Sequence, residues 1–272
     1  MKKLIAALLL PFLFVNVLSL SSCRNKPKKE IQTGEQEQVK IIESEIESNV
    51  YPLPTSAEVI KLLTDLEVGY RFGITNPVEN SKKYFSSPAK ALNMGVYGAD
   101  LSYATLYNIQ QEVINYLDAI RVLANELNMS QIYDESLYDK IKNNFDNRDE
   151  LVDILTEAFN STYAYLTEND QQSLALLVVG GAWVEGMHLT THVSEAAYQV
   201  AGISRNLLEQ KKSFELYIEI TKPYESDPYL GDFLSKLEPV KLVYEGLGTS
   251  LTEKNISDIT KAIELVRAQI IQ

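Results

Sequence analysis

Five glycines, at positions 95, 98, 180, 181 and 186, sit inside two segments whose apolar residues otherwise recur at helical spacing. Each interior glycine costs a helix about 1 kcal/mol relative to alanine. Such a cost is commonly tolerated where two helices cross at close range. The glycine-bearing segments 88–128 and 170–200 are therefore expected to meet near the centre of the fold. No run of residues alternates convincingly with period two, so strands are not expected. The class is all-α, an array of about eight helices near 56–70, 88–128, 134–144, 148–167, 170–200, 203–222, 228–246 and 255–271, the second breaking near Gly95–Gly98. Capping signals punctuate this pattern: Thr55 with Glu58, Asn147 with Glu150, Ser87-Pro88 and Asp227-Pro228.

Two of these helices resemble copies. Glu58-Val-Ile-Lys-Leu-Leu-Thr-Asp65 matches Glu150-Leu-Val-Asp-Ile-Leu-Thr-Glu157 at an offset of 92, which the caps Thr55 and Asn147 share. Convergent amphipathic patterning would give the same likeness, and both readings stand. If the duplication holds, the glycine-bearing helices correspond as well. An offset of 85 sets Asp100 on Glu185, Tyr103 on His188 and Tyr107 on His192, and an offset of 83 pairs Gly98-Ala99 with Gly181-Ala182 equally well. The expected organisation is a segment 1–22, a tether 23–54, and one all-α domain 55–272 with related halves 55–146 and 147–272.

Segment 1–22 has the form of an export signal. Lys2 and Lys3 precede an apolar run over residues 4–18, too short to span a bilayer comfortably. Leu20-Ser21-Ser22-Cys23 then resembles a bacterial lipobox, in which the cysteine is acylated and becomes the new N-terminus. A plain secretory signal with a chance cysteine is the alternative. Cys23 is the only cysteine in the 272 residues, so the body can form no internal disulfide and has no thiolate nucleophile or ligand. Residues 24–54 are polar, mixed in charge and proline-terminated, a flexible tether with a reach of roughly 30 Å. Arg24 stands where the inner-membrane retention signal of enteric bacteria has Asp. By that analogy the anchor belongs in the outer membrane.

The chain carries 25 Lys+Arg against 37 Asp+Glu, a net −12, with no basic stripe to offset it. Such a field repels nucleic acid, which is excluded as a partner. The membrane, through the lipid anchor, is the one partner implied; the sequence points to no particular protein or small molecule.

Asn93-Met-Gly-Val-Tyr-Gly-Ala-Asp100-Leu-Ser-Tyr103 and the later Gly181-Ala-Trp-Val-Glu-Gly186 are similar to stretches in secreted helical lipoproteins of Bacteroidota, a family without an assigned activity. The likeness covers most of the body from Tyr51. It implies an all-α lipoprotein and carries no catalytic residues. The basic start of the tether, Arg24-Asn-Lys-Pro-Lys-Lys29, departs from the acidic stretch that directs many such lipoproteins to the cell surface, which favours the periplasmic face.

One stretch invites a sharper chemical reading. Residues 180–192, GGAWVEGMHLTTH, hold the only tryptophan and both histidines. Glu185, His188 and His192 fall within about 60° on one helix face, a spacing at which both imidazoles could ligate one ion. A di-iron bundle needs a second Glu-x-x-His pair, and a zincin needs His-Glu-x-x-His; neither is present. Three readings of the face stay open. It is a polar seam hydrogen-bonded to Asp100, Tyr103 and Tyr107, or a cleft for a metal or small ligand, or an acid/base site. Trp183 points elsewhere and reads as a core anchor. No Gly-rich phosphate loop, Gly-x-Ser-x-Gly elbow or calcium loop occurs, and no cofactor is implied. The expected function is non-enzymatic: a lipid-anchored binding or scaffold module. The alternative is a metal- or small-ligand-binding protein built on Glu185, His188 and His192.

Overall fold

The computed structural model describes residues 69–193 and 201–272, with side chains over 69–192 and 207–272. The signal segment, Cys23, the tether and nearly all of the helix expected at 56–70 lie outside the described residues, as do residues 194–200. Among the described residues all regular structure is helical. Nine α-helices follow one another: α1 (Ser87–Leu106), α2 (Gln110–Glu126), α3 (Glu135–Asn143), α4 (Arg148–Glu168), α5 (Gln172–Val193), α6 (Ala201–Thr221), α7 (Pro228–Lys236), α8 (Glu238–Glu245) and α9 (Glu253–Ile270). Two short 3-10 turns, Val78–Lys83 and Lys222–Tyr224, complete the set. The all-α class holds.

The glycines do not break the second expected helix. It ends instead at Asn108, which adopts a left-handed φ of 53°. The Ile109 N–H then reaches back to the Ala104 carbonyl at 2.9 Å and the Asn108 N–H to Thr105 at 3.0 Å, a Schellman closure. Asn128 at the end of α2 and Asp170 after α4 repeat the arrangement, with φ of 62° and 58°. Asn and Asp tolerate this conformation because their short polar side chains bond locally, so three helices end without glycine.

The expected caps are made at Asn147 and Asp227, whose side chains accept from Glu150 N–H and from Tyr229 and Leu230 N–H. The cap of α1 is Ser86, one residue before the one expected, accepting from Ala89 N–H. Pro239 divides the helix expected at 228–246, since its ring cannot donate to the preceding turn; α7 ends at Lys236 and α8 begins at Glu238.

Helices α1 and α5 form the centre. A Cβ placed on Gly95 would lie 2.0 Å from the Val178 carbonyl oxygen, and one on Gly181 would lie 2.0 Å from that of Leu92. Each glycine thus receives the main chain of the opposite helix. Gly95 faces Val178–Ala182, and further along Ala99 and Tyr103 cluster with Leu189, so the contacts advance in the same sense and the two helices run parallel. The reciprocal contacts relate Gly95 to Gly181 and Leu92 to Val178 at an offset of 86, neither of the two offsets read from the sequence.

Around this pair, α2 packs on α1, α4 on both, and α7 and α9 on α5. Trp183 is buried beside Phe214 and Tyr244, with ring centroids 5.1 and 6.3 Å away. By length and composition α5 could cross a membrane, but 89% of its apolar window is buried inside the fold. It is a core helix.

Candidate functional site

Glu185 lies on the inner face of α5 with its side chain wholly excluded from solvent, and its partner is Arg267 from α9. The pair is bidentate: Arg267 Nε donates to Oε2 at 2.6 Å and Nη2 to Oε1 at 2.8 Å. A planar guanidinium fork matches a carboxylate in this way, which makes arginine the suitable partner for a buried acid. Nη2 also donates to the Ile74 carbonyl at 3.1 Å.

Asp100 of α1 is fully buried beside this pair. Burial raises its carboxyl well above the usual range, the Glu185 charge adds to the effect, and Arg267 only partly opposes it. Asp100 is therefore the member of the carboxyl pair pushed toward its protonated form, while Glu185 is the one the Arg267 fork holds. Its Oδ2 accepts the Asn76 N–H at 3.1 Å. Its Oδ1 meets no other partner in conventional hydrogen-bond geometry, and the side-chain interaction it makes is with Glu185. With Asp100 holding its proton, the Arg267–Glu185 pair leaves the buried cluster without net charge.

His188 is neutral as well. Burial first, then Arg267 and His192, depress its pKa to about 3. Its Nε2–H donates to the Ile74 carbonyl at 2.9 Å, which leaves Nδ1 bare and without a partner. His192 stacks against it with centroids 3.9 Å apart; its Nδ1 donates to the His188 carbonyl and its Nε2 lies 3.0 Å from Glu264.

Of the six candidate residues, the fold brings Asp100 to Glu185. Tyr103 and Tyr107 are not the partners of the histidines. The Tyr103 hydroxyl accepts the Arg71 N–H at 2.9 Å, and its ring stacks on Tyr70. Tyr107 packs edge-on against both rings, and burial lifts its phenol to about 12. Glu185, His188 and His192 do not converge on a point. Among the described residues no three His, Cys, Asp or Glu side chains group so as to hold a metal ion. The position a metal would take beside Glu185 belongs to a guanidinium. A small apolar cavity of about 20 Å³, lined by Met94, Leu101, Leu117, Tyr133, Leu155 and Phe159, involves none of the six.

What the cluster does hold is the chain's own main chain. Residues 70–77, which precede the first 3-10 turn, form a non-helical strap. Beyond the bonds already given, Tyr97 donates to the Pro77 carbonyl at 2.8 Å and Tyr116 to the Thr75 hydroxyl at 2.7 Å. Arg71 also donates through its side chain to the His192 carbonyl. Asn76 itself bonds Tyr84, at 3.0 Å, and Asn80. Sequence reasoning did not single out Arg267 or the strap. A signal for Arg267 was present, because it lies one turn from Ile263 and beside Val266 on the buried stripe of α9. A charged group on such a stripe calls for a buried counter-ion.

Asp100→Asn isolates the protonation claim. In the unfolded chain Asp100 releases its proton near pH 4, while the folded chain retains it. Above that pH the unfolded state binds fewer protons, so stability falls as pH rises. The introduced amide keeps the acceptor for Asn76 N–H and cannot ionise. D100N is expected to melt higher than the parent at pH 7, by about 1.4 kcal/mol for each unit of the shift, and to match it at pH 3. A lower melting point at both pH values would contradict the assignment.

Compared with protein-family models, curated proteins and solved structures, the chain matches none.

Proposed function

We propose that this chain is a lipid-anchored cell-envelope protein, seated in the outer membrane and facing the periplasm, that acts as a binding or scaffold module rather than an enzyme. The anchoring half is carried by Leu20-Ser21-Ser22-Cys23 behind a short apolar run, with Cys23 the sole cysteine. The likeness to helical lipoproteins of Bacteroidota supports the same reading. For the binding or scaffold half, the reading rests on groups of the candidate face being engaged within the fold: Glu185 bonds Arg267, Asp100 accepts from the strap, and His188 donates to main chain.

Anchoring is tested with Cys23→Ala. Stable attachment needs more than one acyl chain, each buried CH₂ contributing about 0.8 kcal/mol. Removing the acceptor thiol removes all of them. The variant is expected to leave the membrane fraction entirely and to take up no labelled fatty acid. Unchanged fractionation refutes the anchor.

A further inference from the structure

Charge and exposed aromatic surface are unevenly spread over this fold, and the two inequalities coincide. Residues 69–90 carry Arg71, Lys82, Lys83 and Lys90 against Glu79 alone, a net +3, whereas residues 91–272 carry 13 Lys+Arg against 27 Asp+Glu, a net −14. The same short segment holds the two most exposed large apolar side chains among the described residues, Phe72 at 75% and Phe85 at 85%. Each follows basic residues, in Arg71-Phe72 and in Lys82-Lys83-Tyr84-Phe85.

Single exposed apolar side chains are ordinary on a protein surface. Phe85 differs in being held out between two fixed neighbours. The Tyr84 ring before it is buried, its hydroxyl donating to the Ile271 carbonyl at 3.3 Å and accepting from Asn76 at 3.0 Å. Ser86 after it caps α1. Lys82 and Lys83 end the first 3-10 turn beside it; both are exposed, and among the described residues neither pairs with a carboxylate. Phe72 stands at the far end of the strap, edge-on to Tyr70. The strap lies along α1, bonded to Tyr103 at Arg71 and to Tyr97 at Pro77, so both rings belong to the edge that residues 70–86 build beside that helix.

A ring with a neighbouring cation suits a membrane surface. The ring enters the headgroup–acyl boundary, and each Lys or Arg near anionic headgroups strengthens association about fivefold. The place of this edge in the chain agrees. The described fold begins at Gly69, three residues before Phe72, and the chain before it leads back to Cys23. Arg24, Lys26, Lys28 and Lys29, directly after Cys23, repeat the same charge.

We infer that the edge formed by residues 70–86 docks on an anionic lipid surface, with Phe72 and Phe85 entering the headgroup boundary and Lys82 and Lys83 meeting lipid phosphates. The inference rests on the membrane anchoring proposed above, and it gives the anchored domain a fixed orientation with its acidic remainder turned from the bilayer. Without a tether so small a contact is weak, and Cys23→Ala still releases the chain; the tether supplies the local concentration at which the contact persists.

The test supplies the tether chemically, so that it does not depend on acylation in the cell. The full chain, unacylated, is coupled through the thiol of its sole cysteine to a maleimide-bearing lipid in phosphatidylcholine–phosphatidylglycerol vesicles. Phe72→Trp, Phe85→Trp and, on the exposed acidic side of α4, Glu157→Trp report which face meets lipid, while Trp183 is buried and common to all three. Brominated acyl chains are expected to quench the first two indoles and to leave the third unchanged. In the Phe85→Trp chain, Lys82→Gln together with Lys83→Gln should lower the ratio of docked to undocked protein roughly twentyfold. Vesicles of phosphatidylcholine alone should lower it at least as far. Equal quenching at all three positions overturns the proposal, as does quenching at neither phenylalanine position or quenching that ignores phosphatidylglycerol. A chain that docks in this assay but is unacylated in the cell refutes the anchor and upholds the edge.

Discussion

Gly95→Ala is expected to abolish the native fold under ordinary conditions, and Gly181→Ala to do the same. The added methyl of the first would sit 2.0 Å from the Val178 oxygen and 2.6 Å from the Ala182 nitrogen; that of the second, 2.0 Å from the Leu92 oxygen. These are main-chain atoms of a helix and cannot rotate away as a side chain does. The only relief is to move α1 and α5 apart, which loosens the packing along the whole central interface. Overpacking usually costs 1–3 kcal/mol, roughly, when side chains absorb it. Displacing two backbones places the cost at about 4 kcal/mol or more, a large part of a typical domain's 5–15 kcal/mol or so. Gly98→Ala supplies the control. It lies in the same helix with nothing within 4 Å of its Cβ, and should gain about 1 kcal/mol from helix propensity. Urea titrations followed by circular dichroism separate the three variants. A Gly95→Ala protein as stable as Gly98→Ala would mean that the two helices do not meet as described.

Glu185→Gln is expected to be the most damaging change at the polar cluster. It leaves Arg267 buried with no anionic partner, at a cost of roughly 3–5 kcal/mol. The neighbouring carboxyl gives this prediction a second edge. With Glu185 neutral, Asp100 is the acid left to balance the guanidinium, so it should give up its proton in the folded protein. Asp100→Asn, stabilising at pH 7 in the parent, then becomes destabilising in the Glu185→Gln background. That reversal of sign is a coupling between neighbours that independent sites cannot show. A double-mutant cycle at pH 7 measures it, and simple additivity would show that the two carboxyls do not share the arginine.

The helices were legible because their caps and apolar periodicity are local properties of the chain. The meeting of the glycine-bearing segments was legible for a related reason: interior glycine is costly unless a neighbour needs the space. The end of α1 was not, since Asn108 announces a left-handed closure far less plainly than glycine does. At the candidate site, Asp100 and Glu185 were chosen from adjacent-face reasoning and do lie together. Their meaning changed with Arg267, which is 82 residues from Glu185 and came into view only when α9 was placed. The strap was hidden for a deeper reason. Much of its contribution comes from main-chain N–H and C=O groups, which every residue carries and no sequence pattern marks.

The parallel pairing of α1 with α5 also bears on how the molecule assembles. Its tightest contacts, Gly95 with Val178 and Gly181 with Leu92, join positions 83 and 89 residues apart, with three helices threaded between them. Neighbouring helices can pair quickly, but the centre must await a long loop closure, which slows folding relative to bundles of local contacts. Until α1 closes over it, Gln172–His192 is a bare segment with the length and apolarity of a bilayer span. Two glycines that admit a neighbouring backbone thus also let α1 cover a segment with the length and apolarity of a bilayer span.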